Sequence, residues 1–227
     1  LAANLSKVSE ERIQTELVKI LTSAHPDRIR TAYEYGLTKV FLPEFDRMME
    51  TEQNNPNHCY TVGEHTIKAM EAIAPDRILR LTMLFHDMGK PACKTVDAEG
   101  IDHFHGHPEK SAELAKTVLR RLKFDNRTID LVSRYCRYHD LRIEPERKAM
   151  RRAIHKVGED LFPAFFEVQR ADVLAQSDFH REEKLGWLEK NIRDYEEIIK
   201  EGECVSLKDL AVSGKDLIDA GIKPGKE

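Results

Sequence analysis

The sequence has few of the features that mark a secreted, disulfide-stabilised or membrane-embedded protein. Only four cysteines occur in 227 residues, and none lies in a Cys-x-x-Cys pair, so neither a disulfide framework nor a zinc knuckle is indicated. No apolar run approaches the roughly 20 residues of a membrane-spanning helix, and no segment resembles a signal peptide. We therefore expect a cytoplasmic protein with reduced thiols and no membrane partner.

An excess of positive charge is also missing. The formal net charge is -4, so bulk electrostatic attraction to nucleic acid is not indicated, although a local basic face stays compatible with this value. With 41% hydrophobic residues, the chain can form one large domain or two small ones around a proper core. Because the chain begins with Leu1 rather than Met, we expect it to be a piece of a longer protein.

No sustained alternation of apolar and polar residues is found, and the apolar positions recur with helical spacing instead. Ser9 and the capping box formed by Thr61 and Glu64 predict two helix starts, and Pro108 predicts another. Further helices are predicted over 126–138, 144–157, 161–177 and 181–201. The sequence therefore predicts an all-α helical array, with a polar loop over 91–107 as its one long connection.

Histidine is the residue type whose distribution points to a site. Seven of the ten histidines lie between residues 58 and 139, where an even distribution would place about four. Two chemically distinctive neighbours, His86 and Asp87, lie within the mostly apolar stretch LTMLFHDMGKPA (81–92). A carboxylate buried in such a run is costly unless a partner neutralises its charge.

A divalent metal would supply that neutralisation. His65, His86, Asp87 and Asp172 offer two imidazoles and two carboxylates from three predicted helices, a mixed set that suits Mn²⁺, Ni²⁺, Fe²⁺ or Mg²⁺. Further histidines allow a second ion, and paired metals about 3.5–4 Å apart are a common device for phosphoester hydrolysis. These further candidates are His107, His139 and Asp140.

These residues carry a resemblance to a known family. His65, the sequence HDMGK at 86–90, and Asp172 resemble the HD superfamily of metal-dependent phosphohydrolases over roughly residues 58–180. The resemblance implies that His65, His86, Asp87 and Asp172 hold one metal. It also implies that His107 and His139 help to hold a second metal, with Asp87 placed to bridge the two.

The same resemblance implies catalytic roles for Asp87 and Lys90, with Lys90 steadying the phosphate oxygens of a nucleotide or another phosphoester. Hydrolysis of a phosphomonoester or a 2′,3′-cyclic phosphate is the expected chemistry. His103 and His105 have no counterpart in this pattern, and we expect them to be exposed loop histidines.

The flanks carry a second resemblance. The segments VSEERIQTELVKIL, GLTKVFLPEF and DLAVSGKDLIDAGIKPGKE resemble the C-terminal portion of bacterial CCA-adding tRNA nucleotidyltransferases, which belong to the poly(A) polymerase-like family. This implies a neck at 1–50, an HD domain at 51–202 and the start of a tail at 203–227, with tRNA held through the parent protein. No Gly-rich segment followed by D-x-D occurs here, so we expect no polymerisation by this chain alone.

Simpler interpretations stay open at this point. His86 and Asp87 could form a structural pair, Asp172 could pair with Arg170, and Lys90 could be solvated. His107 and His139 could be simple helix caps.

A pair of arginines and two aromatic residues also allow both a functional and a structural interpretation. Arg147 and Arg151 share a helix face and could contact phosphate or RNA, although such runs are usually solvated. Trp187 and Tyr195 are predicted to pack in the core or an interface rather than to stack on bases. The competing function is a non-catalytic tRNA-binding scaffold whose metal site is idle or structural.

Overall fold

The structure is a computed structural model, and it describes residues 2–202 and 214–221. Helices make up most of these residues, with one short antiparallel hairpin between α8 and α9, so the all-α prediction is confirmed. None of the described helices is long and apolar enough to cross a bilayer. The elements are α1 (Ala2–Leu5), α2 (Glu10–Thr22), α3 (Arg28–Glu34), α4 (Thr38–Phe41), α5 (Pro43–Met49), α6 (Val62–Glu71), α7 (Arg77–Phe85), α8 (Lys90–Cys93), β1 (Thr95–Val96), β2 (Asp102–His103), α9 (His107–Arg121), α10 (Asn126–Tyr138), α11 (Arg147–Val157), α12 (Phe162–Ala175), α13 (Arg181–Glu201) and α14 (Gly214–Asp219).

Helix starts follow the signals in the sequence. The Thr61 side chain accepts a hydrogen bond from the Glu64 backbone N–H at 3.2 Å, as a capping box requires, but the Glu64 carboxylate pairs with Arg30 instead of reaching back to Thr61. The predicted bounds of α10 and α13 are confirmed. The helix predicted over 144–157 begins three residues later, at Arg147, and α12 is shorter at both ends than the predicted 161–177.

The 91–107 connection is more ordered than predicted. It contains the end of α8 and the two strands, which pair Thr95 with His103 and Val96 with Asp102. In the turn between the strands, the Asp97 carboxylate accepts backbone N–H groups and Gly100 adopts a positive φ of 81°. The sequence did not reveal the hairpin because two-residue strands are too short to show alternation.

Helix α7 lies at the centre of the core. It contacts α2, α6, α9, α10 and α12, and its residues from Leu79 to Phe85 are buried. The buried guanidinium of Arg80 donates to the carbonyls of Leu21 and Ile73, which ties the C-terminal ends of α2 and α6 to α7. The C-terminal end of α7, where His86 and Asp87 follow, is thereby fixed in the interior.

The tail motif DLAVSGKDLIDAGIKPGKE lies largely outside the described residues. Its described part includes α14, and Gly221 follows with a positive φ of 87°. The division into neck, HD domain and tail stays a prediction.

Candidate metal centre

Helix ends and buried helix faces bring the predicted ligands together. His65 lies in the first turn of α6, His86 caps the C-terminal end of α7, and Asp172 lies in α12. His107 is the first residue of α9, and His139 caps the C-terminal end of α10. The side chains form two groups whose ligand atoms lie within 4.8 Å of one another: His65, His86, Asp87 and Asp172 in the first cluster, and Asp87, His107 and His139 in the second cluster.

In the first cluster, buried imidazole nitrogens face carboxylate oxygens of the buried Asp87 and of Asp172, whose side chain is 14% exposed. The Nε2 atom of His65 lies 2.9 Å from Asp172 Oδ1 and 3.4 Å from Asp87 Oδ2. His86 Nε2 lies 3.4 Å from the same Asp87 oxygen and 3.6 Å from Asp172 Oδ1. The two Nε2 atoms are themselves 3.2 Å apart. Four potential ligand atoms therefore surround one small volume.

The second cluster uses the other oxygen of Asp87. His107 Nε2 lies 3.2 Å and His139 Nε2 lies 3.5 Å from Asp87 Oδ1, and the two nitrogens are 3.3 Å apart. Asp87 thus offers Oδ2 to the first cluster and Oδ1 to the second. This is the arrangement in which one carboxylate can bridge two ions.

The four imidazoles share one hydrogen-bonding pattern that fixes their tautomers. Each Nδ1 lies within hydrogen-bond distance of a backbone carbonyl, and because a carbonyl only accepts, Nδ1 must carry the proton. In the neutral form of each ring, Nε2 then carries the lone pair and faces the carboxylates, as in metal-ligating histidines. The Nδ1–carbonyl pairs are His65 with Ala175, His86 with Met83, His107 with Phe104 and His139 with Cys136, at 2.7–3.2 Å.

The electrostatics of the first cluster also fit a cation. Asp87 Oδ2 is buried and contacts the imidazoles of His65 and His86 and, at 2.7 Å, the Lys90 ammonium. Burial alone would raise the pKa of Asp87, but the His86 imidazole and the Lys90 ammonium hold it well below its usual range. Burial would lower the pKa of His86, but the charges of Asp87 and Asp172 raise it to about 10. The two neighbouring carboxylates are stabilised by positive charge from Lys90 and His86, and a divalent cation between them can supply the same charge.

Lys90 lies inside the site rather than in solvent, so the solvated alternative is wrong. Its side chain is buried, and its Nζ atom lies 2.7 Å from Asp87 Oδ2 and 2.9 Å from Gln53 Oε1. His58 Nε2 lies 3.4 Å from the same ammonium, and the His58 ring packs edge-on against His65 at 5.1 Å. Burial lowers the pKa of His58 to about 3. Sequence reasoning counted His58 among the clustered histidines but gave it no role.

A cleft of about 820 Å³ opens above the two clusters. Residues of the first and second clusters line its floor, and side chains from α12 and α13 line one wall. In that wall, Lys184 donates to Asn57 Oδ1 at 2.8 Å and to Gln176 Oε1 at 2.7 Å, while Gln176 donates to Asp172 at 3.2 Å. Trp187 also lines the cleft with 41% of its surface exposed, so it does not pack in the core, and the predicted alternative of packing in an interface stays a prediction. Tyr195 does pack in the core, against Phe162.

The contacts of Arg170, His107 and His139 decide two further structural alternatives. Arg170 pairs with Glu189 at 4.0 Å, so it is not the partner of Asp172. His107 and His139 make the local carbonyl contacts of helix-end residues and face Asp87 at the same time, so the cap and the ligand geometry coexist.

The remaining residues singled out from the sequence lie outside both clusters. Asp140, His103 and His105 line the cleft but belong to neither cluster. His105 is exposed as expected, whereas His103 contacts Asp97 at 2.7 Å. Arg147 contacts Glu201, and neither Arg147 nor Arg151 lines the cleft, so their contact with phosphate or RNA stays a prediction.

Several curated proteins similar to this chain are named tRNA nucleotidyltransferases or CCA proteins. The CC-adding tRNA nucleotidyltransferase of Thermus thermophilus is 34% identical over 195 residues, covering 82% of this chain and 44% of the relative. The A-adding tRNA nucleotidyltransferase of Deinococcus radiodurans is 30% identical, covering 71% and 38%, respectively. The multifunctional CCA protein of an Azoarcus species is 34% identical, covering 58% and 32%. The chain spans less than half the length of each of these relatives.

Two family models match the chain, one at its N-terminal end and one over its C-terminal half. Residues 1–49 match the model described as "Probable RNA and SrmB-binding site of polymerase A". Residues 104–227, which include His107, His139 and Asp172, match the model described as tRNA nucleotidyltransferase domain 2. Because the second match covers more than half of the residues, the chain belongs to the tRNA nucleotidyltransferase family.

Proposed function

We propose that this chain is part of a CCA-adding type of tRNA nucleotidyltransferase and that its two clusters form an HD-type, metal-dependent phosphohydrolase site. The observation that carries the proposal is the shared pattern of four histidines. Every Nδ1 is committed to a backbone carbonyl, and every Nε2 is directed at Asp87 or Asp172. A purely structural histidine pair would not need four lone pairs directed at two buried carboxylates.

The first cluster would hold one divalent ion, and the second cluster would hold another that shares Asp87. The mixed nitrogen and oxygen set suits Mn²⁺, Ni²⁺, Fe²⁺ or Mg²⁺. A bound ion of this kind lowers the pKa of water and stabilises the charge that develops on phosphoryl oxygens.

The protein's own side chains would prepare the site for a phosphoester. Lys90 balances part of the charge of Asp87, and Gln53 orients its ammonium. Both Asp87 and Lys90 line the cleft, so a phosphate that enters it meets them directly. We propose Asp87 as the shared carboxylate and Lys90 as a cation that steadies Asp87 and the phosphate. A nucleotide or a 2′,3′-cyclic phosphate has a size compatible with the cleft volume.

The test is hydrolysis of 2′,3′-cyclic AMP and of 3′-AMP by the purified chain, supplemented in turn with Mn²⁺, Ni²⁺, Fe²⁺ and Mg²⁺. We expect turnover with at least one ion and its loss in Asp87→Asn. The control is His155→Ala, because His155 is exposed on α11 and belongs to neither cluster. Turnover that persists in Asp87→Asn or after chelation would contradict the proposal.

One observation favours the competing function, a tRNA-binding scaffold with an idle or structural metal. Residues 1–49 match a model whose description names RNA binding. If phosphate contacts dominate such binding, tRNA affinity should fall steeply and log-linearly with salt concentration. Bound metal without turnover of either phosphoester, together with salt-dependent tRNA binding, would favour the scaffold.

A further inference from the structure

Helix α13 presents a cation and an aromatic ring to the cleft on one face. Lys184, Trp187 and Leu188 all line the cleft, and the spacing of three and four residues places them side by side on the helix. Lys184 is linked to Asp172 of the first cluster through Gln176, and Trp187 donates to the carbonyl of Ile143, four residues after His139. Neither residue forms part of a cluster.

Lys184 carries a charge that is positioned by neutral groups. Its ammonium donates to the amide oxygens of Asn57 and Gln176, and Gln176 in turn donates to Asp172 of the first cluster. A lysine ammonium has three N–H donors, so one donor is left for a ligand. Burial lowers the pKa of Lys184, whereas the charge of Asp172 acts in the opposite direction. By contrast, the Lys90 ammonium lies 2.7 Å from the Asp87 carboxylate, which already offsets its charge.

Trp187 is held in a fixed orientation beside the second cluster. Its Nε1–H donates to the carbonyl of Ile143 at 2.8 Å, four residues after His139, and Asn191 donates to the same carbonyl. The indole nevertheless keeps 41% of its surface exposed. A large aromatic side chain that is oriented by a hydrogen bond and exposed in a cleft is a suitable surface for stacking.

We propose that α13 forms the nucleoside-binding wall of this site, with Lys184 contacting the phosphate and Trp187 stacking on the base of a nucleoside phosphate. The inference rests on the proposed function, because it specifies the substrate class of the same cleft. It assigns the recognition of the nucleoside to residues outside the metal clusters. A phosphoester without a base would then bind through the floor of the cleft and Lys184 only.

The only tryptophan in the chain is Trp187, so its fluorescence reports stacking directly. The Mg²⁺-supplemented protein is mixed with 2′,3′-cyclic AMP, and emission is read within milliseconds, before turnover. We expect saturable quenching by the nucleotide. Glycerol 2-phosphate should not quench, but it should weaken the apparent affinity for the nucleotide because both phosphates compete for Lys184.

Two variants test the separate contributions. Lys184→Met should raise the Kd for 2′,3′-cyclic AMP roughly 10- to 100-fold, the equivalent of a lost hydrogen bond to a charged group. Trp187→Ala, followed by calorimetry, should raise it roughly 5- to 150-fold, the range for loss of one base–aromatic stack. Trp187→Phe keeps a ring and should recover most of the affinity, which separates stacking from a packing defect.

Matched controls on the same chain are Lys190→Met and Tyr35→Ala. Lys190 is exposed on α13 and Tyr35 is 70% exposed, and neither lines the cleft. Both variants should bind the nucleotide like the unmodified chain. Absence of quenching, or a Kd unchanged by Lys184→Met and Trp187→Ala, overturns the inference.

The binding measurement keeps the two proposals distinguishable. Quenching that depends on Lys184, without hydrolysis under any metal, removes the phosphohydrolase function and leaves α13 as a nucleotide-binding wall. Hydrolysis of 2′,3′-cyclic AMP whose KM is unaffected by both substitutions removes the inference and leaves the phosphohydrolase function in place.

Discussion

The Nε2 atoms of His65 and His86 lie 3.2 Å apart in complete burial, and the Nδ1 atom of each ring donates to a backbone carbonyl. When both rings are neutral, the two Nε2 lone pairs repel each other at this distance, so the pair needs a positive charge, either a proton on His86 or a metal ion. The carboxylate oxygens of Asp87 and Asp172 lie beside the same nitrogens, and together the four groups form a ligand set that suits a metal ion.

Metal binding should therefore stabilise the fold. At a free metal concentration 100-fold above Kd, linkage contributes about 2.7 kcal/mol to the free energy of unfolding. We expect the melting temperature to fall on chelation and to recover when metal is restored. His65→Ala should reduce this metal-dependent shift to the part contributed by the second cluster, whereas the exposed control His155→Ala should retain the whole shift. A melting temperature indifferent to chelation would count against a metal in the first cluster.

Asp87 should be the one ligand whose loss affects both clusters. Its Oδ2 atom faces His86 and its Oδ1 atom faces His107, whereas Asp172 contacts only the first cluster. We expect Asp87→Asn to reduce metal content at both sites. Asp172→Asn should affect the first site and His139→Ala the second. Elemental analysis after equilibrium dialysis measures the stoichiometry, and equal losses in all three variants would contradict independent clusters that share one carboxylate.

Gly89 should be intolerant of a side chain because α9 approaches it closely. A Cβ atom at this position would lie 2.6 Å from the His107 carbonyl and 2.7 Å from the Ser111 backbone nitrogen. Gly89→Ala should lower the free energy of unfolding by about 1–3 kcal/mol and weaken metal binding at the second cluster, because His107 must move.

The matched control for Gly89 is Gly186→Ala in α13, where an added Cβ meets no atom within 4 Å. There alanine should raise the free energy of unfolding by about 0.5–1 kcal/mol, since glycine is a poor helix former. Urea denaturation of both variants measures the difference. Equal changes in the free energy of unfolding for the two alanine variants would contradict a steric clash at Gly89.

The ion pair between Glu44 and Arg121 should make stability depend on pH. Arg121 binds both carboxylate oxygens of Glu44, at 2.8 and 2.7 Å, and joins α5 to α9. Burial alone would raise the pKa of Glu44, but Arg121 lowers it below its usual value. The stabilisation is therefore present above the unfolded pKa of about 4.3 and is lost as pH falls through the lower folded pKa.

Urea denaturation between pH 7 and pH 3 tests this sign. Glu44→Gln should be less stable than the unmodified chain at pH 7 by about 1 kcal/mol or less, because the partly exposed arginine is screened by solvent. The difference should shrink towards pH 3. Glu16→Gln, which loses only an exposed contact with Lys19, should show little change across the range. A Glu44→Gln difference that grows on acidification would reverse the assignment.

The sequence by itself determined the fold class and the bounds of α10 and α13. Local signals at Thr61 and in the segments of α10 and α13 act over a few residues, so they can be read without tertiary information. The same holds for the six candidate ligands, because histidines and carboxylates are conspicuous in a run such as LTMLFHDMGKPA. The two-residue strands of the hairpin were missed because alternation needs more length to appear.

Only the tertiary structure decided how these side chains meet. The division of Asp87 between two clusters depends on the angle between α7, α9 and α10, which no local pattern encodes. The burial of Lys90, the position of His58 and the exposure of Trp187 depend on neighbours that are distant in sequence. Helical periodicity gives the face on which a residue lies, whereas packing between helices decides whether that face covers a core or a cleft.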